Sequence, residues 1–117
     1  MAPRRTPSGA GHSDGPPAAP LRVLRLHVMA EYFHAIRERT KPLEFRLDTP
    51  YWRRRLVGRT YDAVEVAHGY PKADDATRRV RRAWRGVAPQ VLTHQHFGEA
   101  LAVLAIDVTG DDLPLAP

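Results

Sequence analysis

The sequence predicts a small α+β domain, a curled sheet or barrel of roughly five or six strands with two or three short helices. Three observations lead there. Several short segments alternate apolar and polar residues or run apolar throughout, each bounded by Gly, Pro, Asp or Thr. Two early segments carry helical spacing instead. All of this lies within positions 21 to 109 of the 117-residue chain, enough for one small core.

Taken in order, Leu21 to Val28 reads as a first strand, with Leu24, Leu26 and Val28 on one face and Arg25 and His27 on the other. Residues 30 to 39 place Tyr32, Phe33 and Ile36 at helical spacing, an apolar stripe to lay against a sheet. Pro42 stops that helix and pushes Lys41 toward extended backbone. In the short strand Leu43 to Leu47, Phe45 and Leu47 are expected to face the core, with Glu44 and Arg46 together on the opposite face. Asp48 or Thr49 caps a helix from Pro50 to Leu56, anchored by Leu56 and stopped at Gly58. Tyr61 to Ala67 is a strand with Val64 and Val66 inward, ended by Gly69-Tyr70-Pro71. Residues 78 to 85 fit either period: a helix gathers Val80, Ala83 and Trp84, whereas a strand separates Ala83 from Trp84. Val91 to Thr93 is a short strand, residues 94 to 98 a loop, and Ala100 to Val108 an apolar run expected to be the most buried strand.

The ends differ in kind. Residues 1 to 20 are rich in Pro, Gly and Ala, and hold no apolar side chain larger than Met1, so they are expected to be a disordered tail. Residues 110 to 117 are expected to be a short C-terminal tail. No segment approaches the ~20 apolar residues of a membrane span, and the start lacks the apolar core of a secretory signal. With no cysteine, thiol catalysis, disulfides and thiolate metal sites are excluded, and a cytoplasmic location without membrane association is the default expectation.

Charge points to a polyanion. The net charge of +5 rests on arginine, Lys41 and Lys72 being the only lysines. The arginines cluster as Arg53, Arg54 and Arg55 with Arg59, and as Arg78, Arg79, Arg81, Arg82 and Arg85, with no acidic residue inside either run. Tyr51 and Trp52 beside the first run give the mix of rings and guanidinium groups that stacks bases and grips phosphates. Trp52 also shares a helical face with Leu56, which favours a core role for it and leaves Arg54 and Arg55 as the phosphate candidates. Trp84 among its arginines repeats the theme, again with inward packing as the alternative.

The stretch Arg39 to Arg46 is the most specific feature. Lys41, Glu44 and Arg46 stand where a helix yields to a strand, positioned to line the open end of a small barrel. The carboxylate would orient the cations to hold a phosphate or base edge. Alternatively, burial or a nearby cation depresses the lysine pKa and makes it a base or nucleophile, or Glu44 and Arg46 form an ordinary solvated pair on an exposed face. His94 and His96 share a side of their segment, a spacing some metal sites use; no third ligand is evident, His68 and Asp107 being guesses, and a hydrogen-bonding or general acid-base role in a ligand pocket or a structural role are the alternatives. No cofactor or metal is expected. No phosphate-binding glycine loop, dinucleotide fingerprint, zinc-protease motif or nucleophile elbow is present.

From Lys41, Glu44 and Arg46 onward the chain resembles the ASCH family, within the PUA-like group. The resemblance continues through Pro50-Tyr51-Trp52, Leu56 to Arg59, Tyr61-Asp62, Gly69-Tyr70-Pro71, Trp84-Arg85-Gly86 and His94 to Gly98, covering about residues 21 to 109. It implies a PUA-like β-barrel with a cleft beside the first helix and RNA or a nucleotide as ligand. Lys41, Arg46, Tyr51, Arg53, Arg54, Arg55, Arg82 and Arg85 are the candidate RNA contacts. Similar proteins include ribonucleases and amidohydrolases that deacetylate acetylated cytidine. For such chemistry the candidate catalytic residues are Lys41, Glu44, Glu65, His94 and His96. A metal-independent ribonuclease would use Lys41 or a histidine against the 2′-hydroxyl. The amidohydrolases pair the lysine with a threonine, here replaced by Glu44, and with a distant acid, for which Glu65 is the natural match. Two positions before the lysine the family's usual glycine is Arg39. A protein-interaction domain without catalysis is the remaining alternative.

Overall fold

The computed structural model describes residues 21–93 and 99–115. Six strands and two α-helices are found among them, in the order β1 (Val23–Val28), α1 (Ala30–Arg37), β2 (Leu43–Leu47), α2 (Pro50–Leu56), β3 (Ala63–His68), β4 (Arg79–Ala83), β5 (Val87–Thr93) and β6 (Ala100–Asp107), with a 3₁₀ turn at Ala76–Arg78. The strands form two three-stranded sheets. One has the order β1-β3-β4, with β1 parallel and β4 antiparallel to β3; the other is the antiparallel set β2-β6-β5. Among the described residues no ladder joins the two sheets, so the expected barrel is not closed. Both sheets nevertheless contribute to one core, which gathers Leu24, Leu26, Val64, Val66 and Val80 from the first, Leu104 and Ile106 from the second, and Phe33, Ile36 and Leu56 from the helices.

The apolar alternation of β1 is realised as predicted: Leu24, Leu26 and Val28 are buried and Arg25 and His27 exposed. Burial along β3 is continuous from Ala63 to Ala67. β3 and β6 are each the central strand of their sheet, but only β3 is covered along nearly its whole length, so β3, not β6, is the most buried strand. The first three residues of β6 are exposed, and only Val103 to Ile106 are covered. The ambiguous arginine run is a strand, because Arg79, Arg81 and their neighbours find ladder partners on β3. Strand β5 begins at Val87, earlier than the sequence predicts. Along α1, Phe33 and Ile36 are buried while Tyr32 is 43% exposed, so the predicted stripe is narrower by one residue. Helix α2 has Thr49 as its N-cap, the Thr49 hydroxyl accepting from the Trp52 amide at 3.3 Å, with Pro50 at the first turn. No helix among the described residues is long and apolar enough to cross a membrane.

Two junctions position the rest. Helix α1 ends in a paired closure: the Arg39 amide donates to Ile36 O at 3.1 Å and the Thr40 amide to Ala35 O at 2.9 Å. Arg39 takes the left-handed conformation, φ 66°, that glycine usually supplies there. Its side chain compensates by donating to the carbonyls of Thr109 and Gly110, at 3.0 and 3.1 Å. The segment after Thr109, expected to be a tail, lies along β4: the Ala83 amide donates to Asp111 O at 2.8 Å, the Leu113 amide to Arg81 O at 2.9 Å, and Asp112 bridges to Arg82. That approach requires Gly110, since a Cβ there would run into the Ala83 carbonyl.

Candidate functional site

Strand β2 pairs Glu44 with Ile106 and Arg46 with Leu104, and both of those β6 residues belong to the core. Because successive side chains alternate, Glu44 and Arg46 share the inner face of their sheet, and Phe45 and Leu47 lie on the other. This reverses the expected orientation: Leu47 is 55% exposed and Glu44 only 8%. The hydrogen bonds from the Val108 amide to Pro42 O, at 3.0 Å, and from the Asp48 amide to Ala102 O, also at 3.0 Å, fix this register at both ends.

Lys41, Glu44 and Arg46 come together. Glu44 sits between the two cations, with Lys41 Nζ 3.6 Å from Oε1 and Arg46 Nη2 3.0 Å from Oε2. Lys41 is held to the end of α1 through its amide, which donates to Ala35 O at 3.1 Å. Its ammonium lies 5.4 Å from the Tyr32 ring centre and 5.1 Å from that of Phe45. Arg46 Nη2 also donates to His27 O at 3.0 Å, and its guanidinium stands 5.0 Å from the Trp52 ring centre. Arg46 Nε is buried without a partner among the described residues. Two cations face one carboxylate, so the cluster keeps one positive charge, and at about a fifth exposed side chains that charge is less screened than at the open surface.

Helix α2 stands beside this cluster through Trp52, which is half-buried against the core. Tyr51 is exposed, and Arg55 covers one face of its ring with Cζ 3.7 Å from the centroid. Arg53 grips both Asp48 oxygens, at 2.8 and 2.9 Å, and is thereby tied to the helix start. Arg54 is exposed on the same helix. Arg85 lies 3.7 Å from Asp107 and is likewise mainly exposed.

Arg82 is not placed as a candidate RNA contact would be. Its side chain is 2% exposed, and it donates to Val108 O at 2.9 Å, to Arg37 O at 3.2 Å and to Asp112. It ties α1, the end of β6 and the C-terminal segment together. Its register explains why: Arg82 pairs with Val64 on β3, on the inward face of that sheet.

Glu65 is also placed apart from Lys41. It is 3% exposed in the middle of β3, on the outer face of its sheet, in register with Arg25 on one side and Arg81 on the other. Arg81 donates to Oε1 through Nη2 at 2.8 Å and Nε at 3.2 Å, and Arg79 Nη1 donates to Oε2 at 3.1 Å. Burial opposes ionisation of this carboxyl, but the hydrogen bonds and charges of Arg81, Arg79 and Arg25 outweigh it and hold the pKa below the usual carboxylate range. With its oxygens so occupied, Glu65 is an anchor for arginines and shares no partner with Lys41. Sequence reasoning missed this cluster. The signal was a glutamate inside an apolar strand, with Arg79 and Arg81 alternating on the next one.

His94 and His96 lie outside the described residues. His68 packs 6.0 Å from Phe33, ring to ring, and Asp107 accepts from the Thr109 amide and hydroxyl at 2.8 and 2.6 Å. Burial opposes ionisation of Asp107, yet those two bonds hold its pKa low. Among the described residues no three His, Asp or Glu side chains gather as a metal site. No family model, no curated protein and no solved structure matches the chain.

Proposed function

We propose that the chain is an RNA- or nucleotide-binding domain of the ASCH type, with the Lys41, Glu44 and Arg46 cluster as its cleft. The carrying observation is that these three residues meet on an inward face, framed by Tyr32, Phe45 and Trp52. Glu44 orients both cations. Arg46 is engaged with protein acceptors, so the Lys41 ammonium supplies the donor for a phosphate. Arg54 and Arg55 extend the positive potential along α2, and Tyr51 offers a ring for a base to stack on. Two three-stranded sheets around one core support an open form of the PUA-like barrel. Single-stranded RNA is the expected polymer. A purely hydrolytic reading through Lys41 and Glu65 has less support, since arginines hold Glu65.

The test is fluorescence anisotropy with labelled single-stranded RNA at fixed ionic strength. Lys41→Ala is expected to weaken binding roughly 5- to 20-fold, about 1–2 kcal/mol for a charge-assisted contact, with the domain still folded. With three phosphates neutralised, log affinity falls with log salt at a slope of about −2. An unchanged dissociation constant for Lys41→Ala would exclude this cleft as the binding site.

A further inference from the structure

Outside that site, the outer face of the β1-β3-β4 sheet carries a cleft of about 440 Å³ lined by Arg25, Glu65, Arg79 and Arg81. Ala73, Ala76 and Leu115 form its apolar wall. The volume falls in the range of about 300–1,000 Å³ typical of small-ligand sites.

The charges do not close on themselves. Three guanidinium groups surround one buried carboxylate, and the second acid of the lining, Asp74, is solvent-exposed and therefore screened. The Arg81 side chain is only 6% exposed, yet only its Nε and Nη2 are used, both on Glu65 Oε1. Its Nη1 takes no partner among the described residues. Arg79 spends Nη1 on Glu65 and Nη2 on the carbonyls of Pro71 and Lys72, and its buried Nε is left without a partner. Arg25 reaches Glu65 only at 3.7 Å and is 59% exposed, so its terminal nitrogens are available. A guanidinium held rigid by a carboxylate on one edge and open on the other is preorganised to receive an oxyanion.

We infer that this cleft binds a small phosphate monoester, with Arg81 and Arg25 donating to the phosphate oxygens and the uncharged part of the ligand resting on Ala73, Ala76 and Leu115. Two separate guanidinium groups suit the several oxygens of a tetrahedral phosphate better than a planar carboxylate, which one guanidinium already satisfies. Glu65 acts as the positioning residue that fixes Arg81. The site is independent of the RNA cleft, sharing none of its side chains.

The experiment titrates full-length protein with AMP, inorganic phosphate and acetate at constant ionic strength, following backbone amides and arginine Nε–H groups by NMR. AMP and phosphate are expected to saturate, with the largest shifts at Glu65 and Arg79 to Arg81, and AMP is expected to bind tighter than phosphate. Arg25→Gln, at an exposed position that leaves the Glu65 anchors in place, should weaken both at least 5-fold. Leu115→Trp, which fills the apolar wall, should weaken AMP more than phosphate. Lys41→Ala should leave the saturation of these β4 shifts unchanged, whatever nucleotide also binds at the Lys41 cleft. The inference is overturned by non-saturating shifts on β4, by Arg25→Gln binding as tightly as the wild type, by acetate matching phosphate, or by Lys41→Ala weakening the saturation of the β4 shifts as much as Arg25→Gln does.

Discussion

Replacing Arg82 by methionine separates a structural arginine from a nucleic-acid contact. The side chain is 2% exposed and donates to acceptors on three separate segments. Methionine keeps much of the volume, so the cavity term is small. What is lost is hydrogen bonding. The buried Val108 carbonyl loses its donor, at about 1–3 kcal/mol for an unsatisfied buried group. The Arg37 carbonyl is partly buried and water can replace some of that bond. Asp112 has a 71% exposed side chain and is resolvated almost fully, so its ion pair adds little. The total is about 2–4 kcal/mol, a large fraction of the ~5–15 kcal/mol stability of a small domain. Urea unfolding followed by the fluorescence of Trp52 and Trp84 should show a midpoint lowered by about 1–2 M, given a slope of about 2 kcal/mol per molar urea. Asp112→Asn should cost under about 1 kcal/mol. If Arg82→Met leaves the midpoint in place and instead lowers RNA affinity tenfold, the assignment of Arg82 to the fold is wrong.

Arg39 and Glu65 offer two further tests. Arg39→Gly removes the left-handed strain of about 1–2 kcal/mol but also two hydrogen bonds of about 1 kcal/mol each, so its stability should stay within about 1 kcal/mol of wild type, while Arg39→Ala, which loses the bonds and keeps the strain, should be less stable than the glycine variant by at least ~1 kcal/mol in the same urea assay. Because the folded pKa of Glu65 is depressed, its ionised form contributes stability that is present above the usual carboxylate pKa of about 4.3 and is lost as pH falls through the lower folded value. The stability of Glu65→Gln relative to wild type should therefore be lowest near neutrality and recover below about pH 4; a difference that stays constant from pH 7 to pH 3 would refute the linkage.

Local pattern was legible where burial followed period. Leu24, Leu26 and Val28 announced β1, Pro42 and Pro50 punctuated the helices, and Lys41, Glu44 and Arg46 were recognisable as a group before their contacts were known. What the sequence left open depended on long-range pairing. Whether residues 78 to 85 were helix or strand was decided by β3, whose Glu65 and Ala67 sit opposite Arg81 and Arg79. Arg82 looked like its neighbours in the arginine run, and only the ladder with Val64 turns it inward. The segment from Gly110 onward carried no apolar period, because its attachment to β4 is made by backbone groups and by Asp112.

The orientation of β2 carries the most weight for function. A one-residue slip against β6 would turn Phe45 and Leu47 inward and place Glu44 and Arg46 on the outer face, the arrangement an apolar pattern alone favours. The observed register instead places a carboxylate and a guanidinium opposite Ile106 and Leu104. Folding does not call for that choice: apolar residues of similar volume are often neutral or stabilising in place of a buried ion pair. The burden is offset locally, by Lys41 on one Glu44 oxygen, by the His27 carbonyl on Arg46 and by Trp52 against its guanidinium, yet Arg46 Nε remains buried without a partner among the described residues. Stability alone does not select this register, and the proposed ligand site is accordingly placed at Lys41, Glu44 and Arg46.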